Sequence, residues 1–283
     1  MFMKAQPQLH KGQRIRQIVR GIPSSDNAGT HLHRVIGTEA LDQIDPFLLF
    51  EDLRPAKAQS ELIEHPHAGF EILTLVVDGA VDHSTAGQTG RIVKGGGHWI
   101  TAGRGISHGV QPVGEGARAF QIWLNLPAVE ERLEPVAREI APADIPAVIF
   151  AKAEVRVLAG RFHGLIGPVA SAHTQPFIAD IVLGHEGEIS LPLPEGHQGF
   201  IYVSDGGVAV EQSLINAGQA GLIDGTADDG ANLVNLVAGQ DGARLFVATA
   251  LPLNTPVVRY GPFVMADHEG IKQTFIDYQN GLF

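Results

Sequence analysis

Short apolar stretches recur along the chain between glycine, proline and aspartate residues, a spacing typical of strands joined by tight turns. In the first half, residues 71–77, 91–93, 99–101 and 120–126 have this character; in the second half, residues 155–158, 178–183, 199–203, 233–237 and 245–249 do. The dipeptides Asp78-Gly79, Asp205-Gly206 and Asp241-Gly242 read as turns between them. Helix is scarce. Residues 130–139 carry a run of charges interrupted by Pro135 and read as a linker. Residues 267–280 predict a packed helix, with Asp267 placed to cap its start, Ile271, Phe275 and Tyr278 on one face, and Gly281 placed to close it. The pattern is that of an all-β protein with a short C-terminal helix.

Composition fits that reading, since 34 Gly and 17 Pro in 283 residues supply many turns. The length suits two domains of about 140 residues each. There is no Cys, so disulfides and thiolate chemistry are excluded and any metal must be held by His and carboxylates. The 13 His are therefore the residues to follow. A formal charge of −11 argues against direct nucleic-acid binding, which draws on clustered Lys and Arg. The basic positions Lys11, Arg14, Arg16 and Arg20 alternate with Ile15, Ile18 and Val19 and read as the polar side of a β-segment. No leader pattern and no apolar run of about 18 residues is present, so the expectation is a cytoplasmic monomer that does not meet a membrane.

The chain contains an internal repeat. The segment from Glu64 to Phe70 aligns with that from Pro194 to Phe200, and Val93-Lys94-Gly95-Gly96-Gly97 aligns with Ile215-Asn216-Ala217-Gly218-Gln219, in the same order. Two copies of one barrel follow, with an N-terminal domain at 1–132 and a C-terminal domain at 133–283. Their chemistry differs. Glu195 and His197 stand where the first copy has His65 and His67, and no later His matches His108, so only the N-terminal copy is equipped for a metal.

His65-Pro66-His67 puts two imidazoles on one face of an extended strand, roughly 7 Å apart along the chain, close enough to share an ion. Glu71 lies four residues beyond His67 with the same parity, and a continuing strand would aim its carboxylate at the same interior. His83 and His98 read as supporting or surface groups. Arg104 admits two readings, attraction of an anionic substrate or a salt bridge that holds a loop. Gly105-Ile106-Ser107-His108-Gly109 matches the nucleophile-elbow pattern, but its β-rich surroundings lack the strand-turn-helix setting that chemistry needs. Trp99, Phe120 and Trp123 read as barrel core.

His-Pro-His-x-Gly-Phe-Glu at 65–71, followed by Thr-Ala-Gly-Arg-Gly-Ile-x-His at 101–108, resembles the signature of the pirin family. Trp99, the strand 121–126 and the closing Tyr260-Gly261-Pro262-Phe263-Val264-Met265 resemble that family too. The resemblance implies two tandem cupin-type barrels (double-stranded β-helices), with one divalent metal, usually iron, in the N-terminal one. Nickel, zinc and manganese suit the same donors. Carried over, its ligands are His65, His67 and His108. The family's fourth ligand, a Glu two residues beyond the last His, is Val110 here. Three arrangements stay open: three His with water, Glu71 swung in as fourth ligand and catalytic base, or no metal. The resemblance implies a quercetin 2,3-dioxygenase-type oxygenase acting on a small flavonol-like aromatic substrate, or a non-enzymatic regulator that binds a protein partner as a transcriptional or metabolic cofactor.

Overall fold

The computed structural model describes residues 15–25, 30–55, 62–171, 173–225 and 233–283; Lys11 and Arg14 of the basic stretch lie outside them. Strands dominate. In chain order they are β1 (Gln17–Arg20), β2 (Ile22–Ser25), β3 (His31–Ile36), β4 (Phe47–Arg54), β5 (His65–His67), β6 (Phe70–Thr85), β7 (Gln88–Val93) and β8 (Gly97–Thr101). There follow β9 (Ile106–Asn125), β10 (Val136–Ile140), β11 (Ala147–Ile149), β12 (Ala153–Ala159), β13 (Arg161–Phe162), β14 (Leu165–Ile166) and β15 (Phe177–Leu183). The last are β16 (Glu188–Pro192), β17 (Gln198–Val210), β18 (Ser213–Asn216), β19 (Gln219–Asp224), β20 (Leu233–Ala250), β21 (Val258–Tyr260) and β22 (Phe263–Met265), and the chain ends in helix α1 (His268–Gln279).

Two nine-stranded sheets carry the duplication. One runs β10-β8-β6-β9-β4-β3-β2, with β5 on β9 and β7 on β6; the other runs β1-β19-β17-β20-β15-β12-β11, with β16 on β20 and β18 on β17. Each strand of one has a counterpart in the other at the same place in the order. The first sheet belongs to a unit made of the described residues of Gly21–Pro146, Gly167–Gln175 and Leu251–Phe283. The second belongs to a unit made of the described residues up to Arg20, with Ala147–Ile166 and Pro176–Ala250. These are two tandem cupin-type barrels, as the pattern predicts. In the basic stretch, Gln17–Arg20 is indeed a strand, and Arg16 forms an ion pair with Asp224.

The Asp-Gly pairs are not turns. Asp78-Gly79, Asp205-Gly206 and Asp241-Gly242 all fall inside the long strands β6, β17 and β20. The register of β6 on β9 shifts on both sides of Asp78, and that of β17 on β20 shifts on both sides of Asp205-Gly206. Gly79 and Gly206 have φ of 69° and 73°, which marks bulges that bend a continuing strand around the barrel. Residues 130–139 hold no helix, and their last part enters β10.

The two interiors are filled differently. In the unit containing β20, one continuous apolar cluster runs from Ala153 to Val247, and its internal void is about 10 Å³. In the unit containing β6, the apolar interior splits into one cluster around Phe70, Ile72, Ile106 and Trp123 and another around Leu53, Val81, Val110 and Ala119. Helix α1 packs on this second unit, as the periodicity predicts. Asp267 accepts a hydrogen bond from the Gly270 amide at 2.7 Å, and Ile271 and Phe275 join Phe263, Met265 and Ala68 in a further cluster. Tyr278 and Phe283 close over Phe263 with ring centroids 6.1 and 5.7 Å away. Among the described residues, no helix is long and apolar enough to cross a membrane.

Candidate metal centre

His65 and His67 share the three-residue strand β5, which pairs antiparallel with β9 so that His65 stands opposite His108. The side chains at i and i+2 therefore meet the ring of a cross-strand neighbour. One ring nitrogen from each residue lies within 4.8 Å of the others, and among the described residues this is the group of His and carboxylates fit to hold an ion. His67 and His108 are buried, and His65 is half-buried.

An acceptor at one side sets the chemistry of His67. Its Nδ1 lies 3.3 Å from the carbonyl oxygen of Pro262, so Nδ1–H donates there and Nε2 keeps its lone pair. That Nε2 and both ring nitrogens of His108 are buried without a hydrogen-bond partner. Buried polar atoms left unpaired are costly and uncommon, and a lone pair of this kind on each of two neutral imidazoles, with the His65 ring beside them, suits a borderline divalent cation. Burial, reinforced by the neighbouring imidazoles, pushes the pKa of both His67 and His108 well below the usual value and keeps them in the neutral form that ligates.

Glu71 stands outside the three-His group. Parity from His67 assumes one continuous strand, but β5 ends at His67 and β6 begins at Phe70, with Ala68 bridged to Phe263 and Gly69 at φ 92°. The bend resets the alternation, and Phe70, not Glu71, packs against His67 with ring centroids 5.3 Å apart. Glu71 instead lies opposite Thr101 on β8 and accepts its hydroxyl hydrogen bond at 3.1 Å. Burial raises its carboxyl to about 7 despite that bond.

A cavity of about 670 Å³ opens beside the histidines, with walls that include His65, His67, Val110 and Trp123. Val110 thus lines the cavity, as strand parity from His108 predicts. Trp123 is fixed from two sides. Its ring stacks on Phe70 at 4.3 Å, and its Nε1 donates to Gln121, whose amide donates in turn to Thr74.

His83 and His98 are both buried, with ring centroids 4.4 Å apart, and His83 Nε2 lies 2.9 Å from the Glu139 carboxylate. Burial and the His83 ring lower the His98 pKa to about 4. Arg104 resolves into its loop-holding reading: it bonds Glu134 and the Leu282 carbonyl, each at 3.0 Å. The cations that do line the cavity, Arg34 and Arg259, carry no local sequence signal. Arg259 adjoins the Tyr-Gly-Pro-Phe-Val-Met motif, which is the clue that could have found it.

Trp99 and Phe120 are buried as the sequence predicts. In the other unit, His197 faces Thr249 at 3.4 Å, and burial lowers its pKa.

A family model described as Pirin matches residues 29–124, and one described as Pirin C-terminal cupin domain matches residues 178–283. A Pseudomonas aeruginosa protein carrying the name "Putative quercetin 2,3-dioxygenase" is 36% identical over 280 residues, 95% of this chain and 97% of its own. Pirin from Homo sapiens is 30% identical over 271 residues, 90% of this chain and 89% of its own. A crystal structure of a quercetin 2,3-dioxygenase from Acinetobacter baumannii, 24% identical, shares the fold with a TM-score of 0.84 over 96% of this chain and 98% of that one.

Proposed function

The chain belongs to the pirin family, and from that premise we propose that its N-terminal barrel holds one divalent cation, iron in first place, on His65, His67 and His108 and oxidises a flavonol-like aromatic substrate with molecular oxygen. The observation that carries this reading is a cluster of three imidazoles at a cavity of about 670 Å³, two of which, His67 and His108, are buried, neutral and keep ring nitrogens without a hydrogen-bond partner. That volume suits a substrate of a few fused rings.

A cation bound there supplies Lewis acidity that favours the ionised form of a substrate hydroxyl. The chain's own residues do the rest. The Pro262 carbonyl holds the His67 ring in one tautomer, and Leu49, Leu53, Val110 and Trp123 give the cavity apolar walls that exclude water from a bound ring. Curated relatives and structural neighbours bear quercetin 2,3-dioxygenase names, which supports the substrate class.

One observation favours a second reading. Val110 puts a hydrocarbon in the cavity wall where the family places its carboxylate, and Glu71 lies elsewhere. A pirin without that base can act by binding a protein partner, as a regulator. Metal analysis of freshly purified protein together with oxygen uptake on quercetin separates the two. The oxygenase reading expects about one metal per chain and quercetin-dependent uptake that a chelator abolishes. Stoichiometric metal with no uptake would move the regulatory reading to first place.

A further inference from the structure

The cavity contains two arginines whose circumstances differ. Arg34 is committed: its Nε and Nη2 lie 2.7 and 2.6 Å from the Glu51 carboxylate, which neutralises it. Arg259 is not. Among the described residues, its hydrogen bonding amounts to one long contact from Nη1 to the Leu48 carbonyl at 3.4 Å. Its guanidinium stands 5.3 Å over the ring of Trp123, and Trp123 itself lies against His67 with centroids 4.8 Å apart.

With Arg34 and Glu51 cancelling, Arg259 brings the cavity an uncancelled guanidinium charge in a chain of net charge −11. It is open to the cavity, yet enough protein surrounds it that burial lowers its pKa; Asp42 and Glu51 act to raise it, and Arg34 to lower it. A guanidinium with unused, coplanar donors, laid over an aromatic wall, is built to receive an anionic oxygen on a planar ring.

We propose that Arg259 is the anion-binding arm of this cavity, so that its ligands are planar aromatic molecules carrying a carboxylate or an ionised hydroxyl, with the anionic oxygen on the guanidinium and the ring among the cavity's apolar walls. This deepens the oxygenase reading by naming a charge the substrate carries, but binding does not depend on turnover.

The test is calorimetric binding to the purified full-length protein, with and without a chelator. The probes are 2-naphthoate, the neutral 2-naphthamide, and 4-nitrophenol on either side of its own ionisation. A charge-assisted pair in a partly desolvated site predicts that 2-naphthoate binds about tenfold to a hundredfold tighter than 2-naphthamide, in the presence of chelator as well. Ionised 4-nitrophenol binding tighter than its neutral form extends the site to hydroxyls, whereas a preference confined to 2-naphthoate restricts it to carboxylates.

Arg259→Gln should bring 2-naphthoate down to the level of 2-naphthamide and leave the amide unchanged. Glu51→Gln frees the charge of Arg34 and should raise the preference for the anion several-fold, a change that a purely structural role for Arg259 does not produce. Equal binding of acid and amide by the native chain overturns the proposal. So does Arg259→Gln weakening both ligands alike, or a preference that vanishes with the chelator. Oxygen uptake is read separately: an intact anion preference without quercetin turnover leaves Arg259 assigned and removes the oxygenase, and the converse result does the reverse.

Discussion

The Nδ1 of His67 lies 3.3 Å from the carbonyl oxygen of Pro262, 195 residues further along the chain. The closing segment of the sequence therefore orients an imidazole near its start. Phe263 follows directly, bridges to Ala68, and is the hub on which Phe275, Tyr278 and Phe283 pack. Its role is mechanical: the ring pins the segment whose carbonyl fixes the His67 tautomer.

Replacing Phe263 with Ala should consequently act on stability and on the metal together. The cost to folding is expected at about 3 kcal/mol, as for a fully buried aromatic. Metal affinity should fall as well, since the Pro262 carbonyl is no longer held. Denaturant unfolding in chelator gives the first quantity and a competitive zinc titration the second. An unchanged metal affinity would show that the Pro262 contact does not position His67.

Gly69 makes the same joint from the other side. Its φ is 92°, and a Cβ there would run into the backbone carbonyl of Val264. Gly69→Ala should therefore cost at least about 2 kcal/mol, combining left-handed strain with the overlap. Hydrogen exchange should quicken at the Val264 amide, which donates to the Ala68 carbonyl at 3.1 Å. Exchange at native rates would contradict the tight approach.

The same joint explains what could and could not be read from the residues alone. The strands, the helix and the duplication were legible because they depend on local periodicity, and His65 with His67 because i and i+2 remain on one face within a single short strand. Glu71 was placed with them because nothing in Ala68-Gly69 announces that the strand ends and restarts; that follows from Phe263 and Val264, almost two hundred residues away. The Asp-Gly pairs misread as turns have the composition of a turn, and only the register of neighbouring strands shows them to be bulges. Arg259 reaches the cavity through the same returning segment, and so no spacing in the first half points to it.

Glu71 supplies a pH test. Its folded pKa of about 7 lies above the ordinary 4.5, mainly through burial, so the folded state binds this proton more tightly than the unfolded chain. Its contribution to stability is fully present below about 4.5 and is lost as pH rises through 7, a change of about 3 kcal/mol. His98, lowered to about 4, works in the opposite direction: its contribution is present above 6.5 and is lost as pH falls. The informative quantity is thus the difference between Glu71→Gln and the native chain, measured by denaturant unfolding in chelator from pH 4.5 to 7.5. The variant should gain on the native chain steadily over that range. Metal affinity at fixed pH should not change, because Glu71 lies outside the three-His group; a clear loss of metal on Glu71→Gln would restore it as a ligand.

Val110 is where the site can be rebuilt. It is buried, lines the cavity beside His65 and His67, and stands directly opposite His83 in the pairing of β6 with β9. Val110→Glu places a carboxylate on the wall of the cavity beside the three-histidine group, whose buried members His67 and His108 are neutral. Without a cation this buried charge has no close partner, and stability in chelator should drop by about 1–3 kcal/mol. With a cation the charge is matched, so affinity should rise by about tenfold or more and the folded state should recover the loss through binding. Thermal melts with chelator and with zinc read both effects on one sample, since the variant should melt below the native chain without metal and approach or pass it with metal. If the carboxylate also serves as a base toward a substrate hydroxyl, oxygen uptake on quercetin should increase in the iron-loaded variant. A variant that binds metal no better than the native chain would mean that residue 110 does not reach the ion and that the pocket is not a pirin site lacking only its carboxylate.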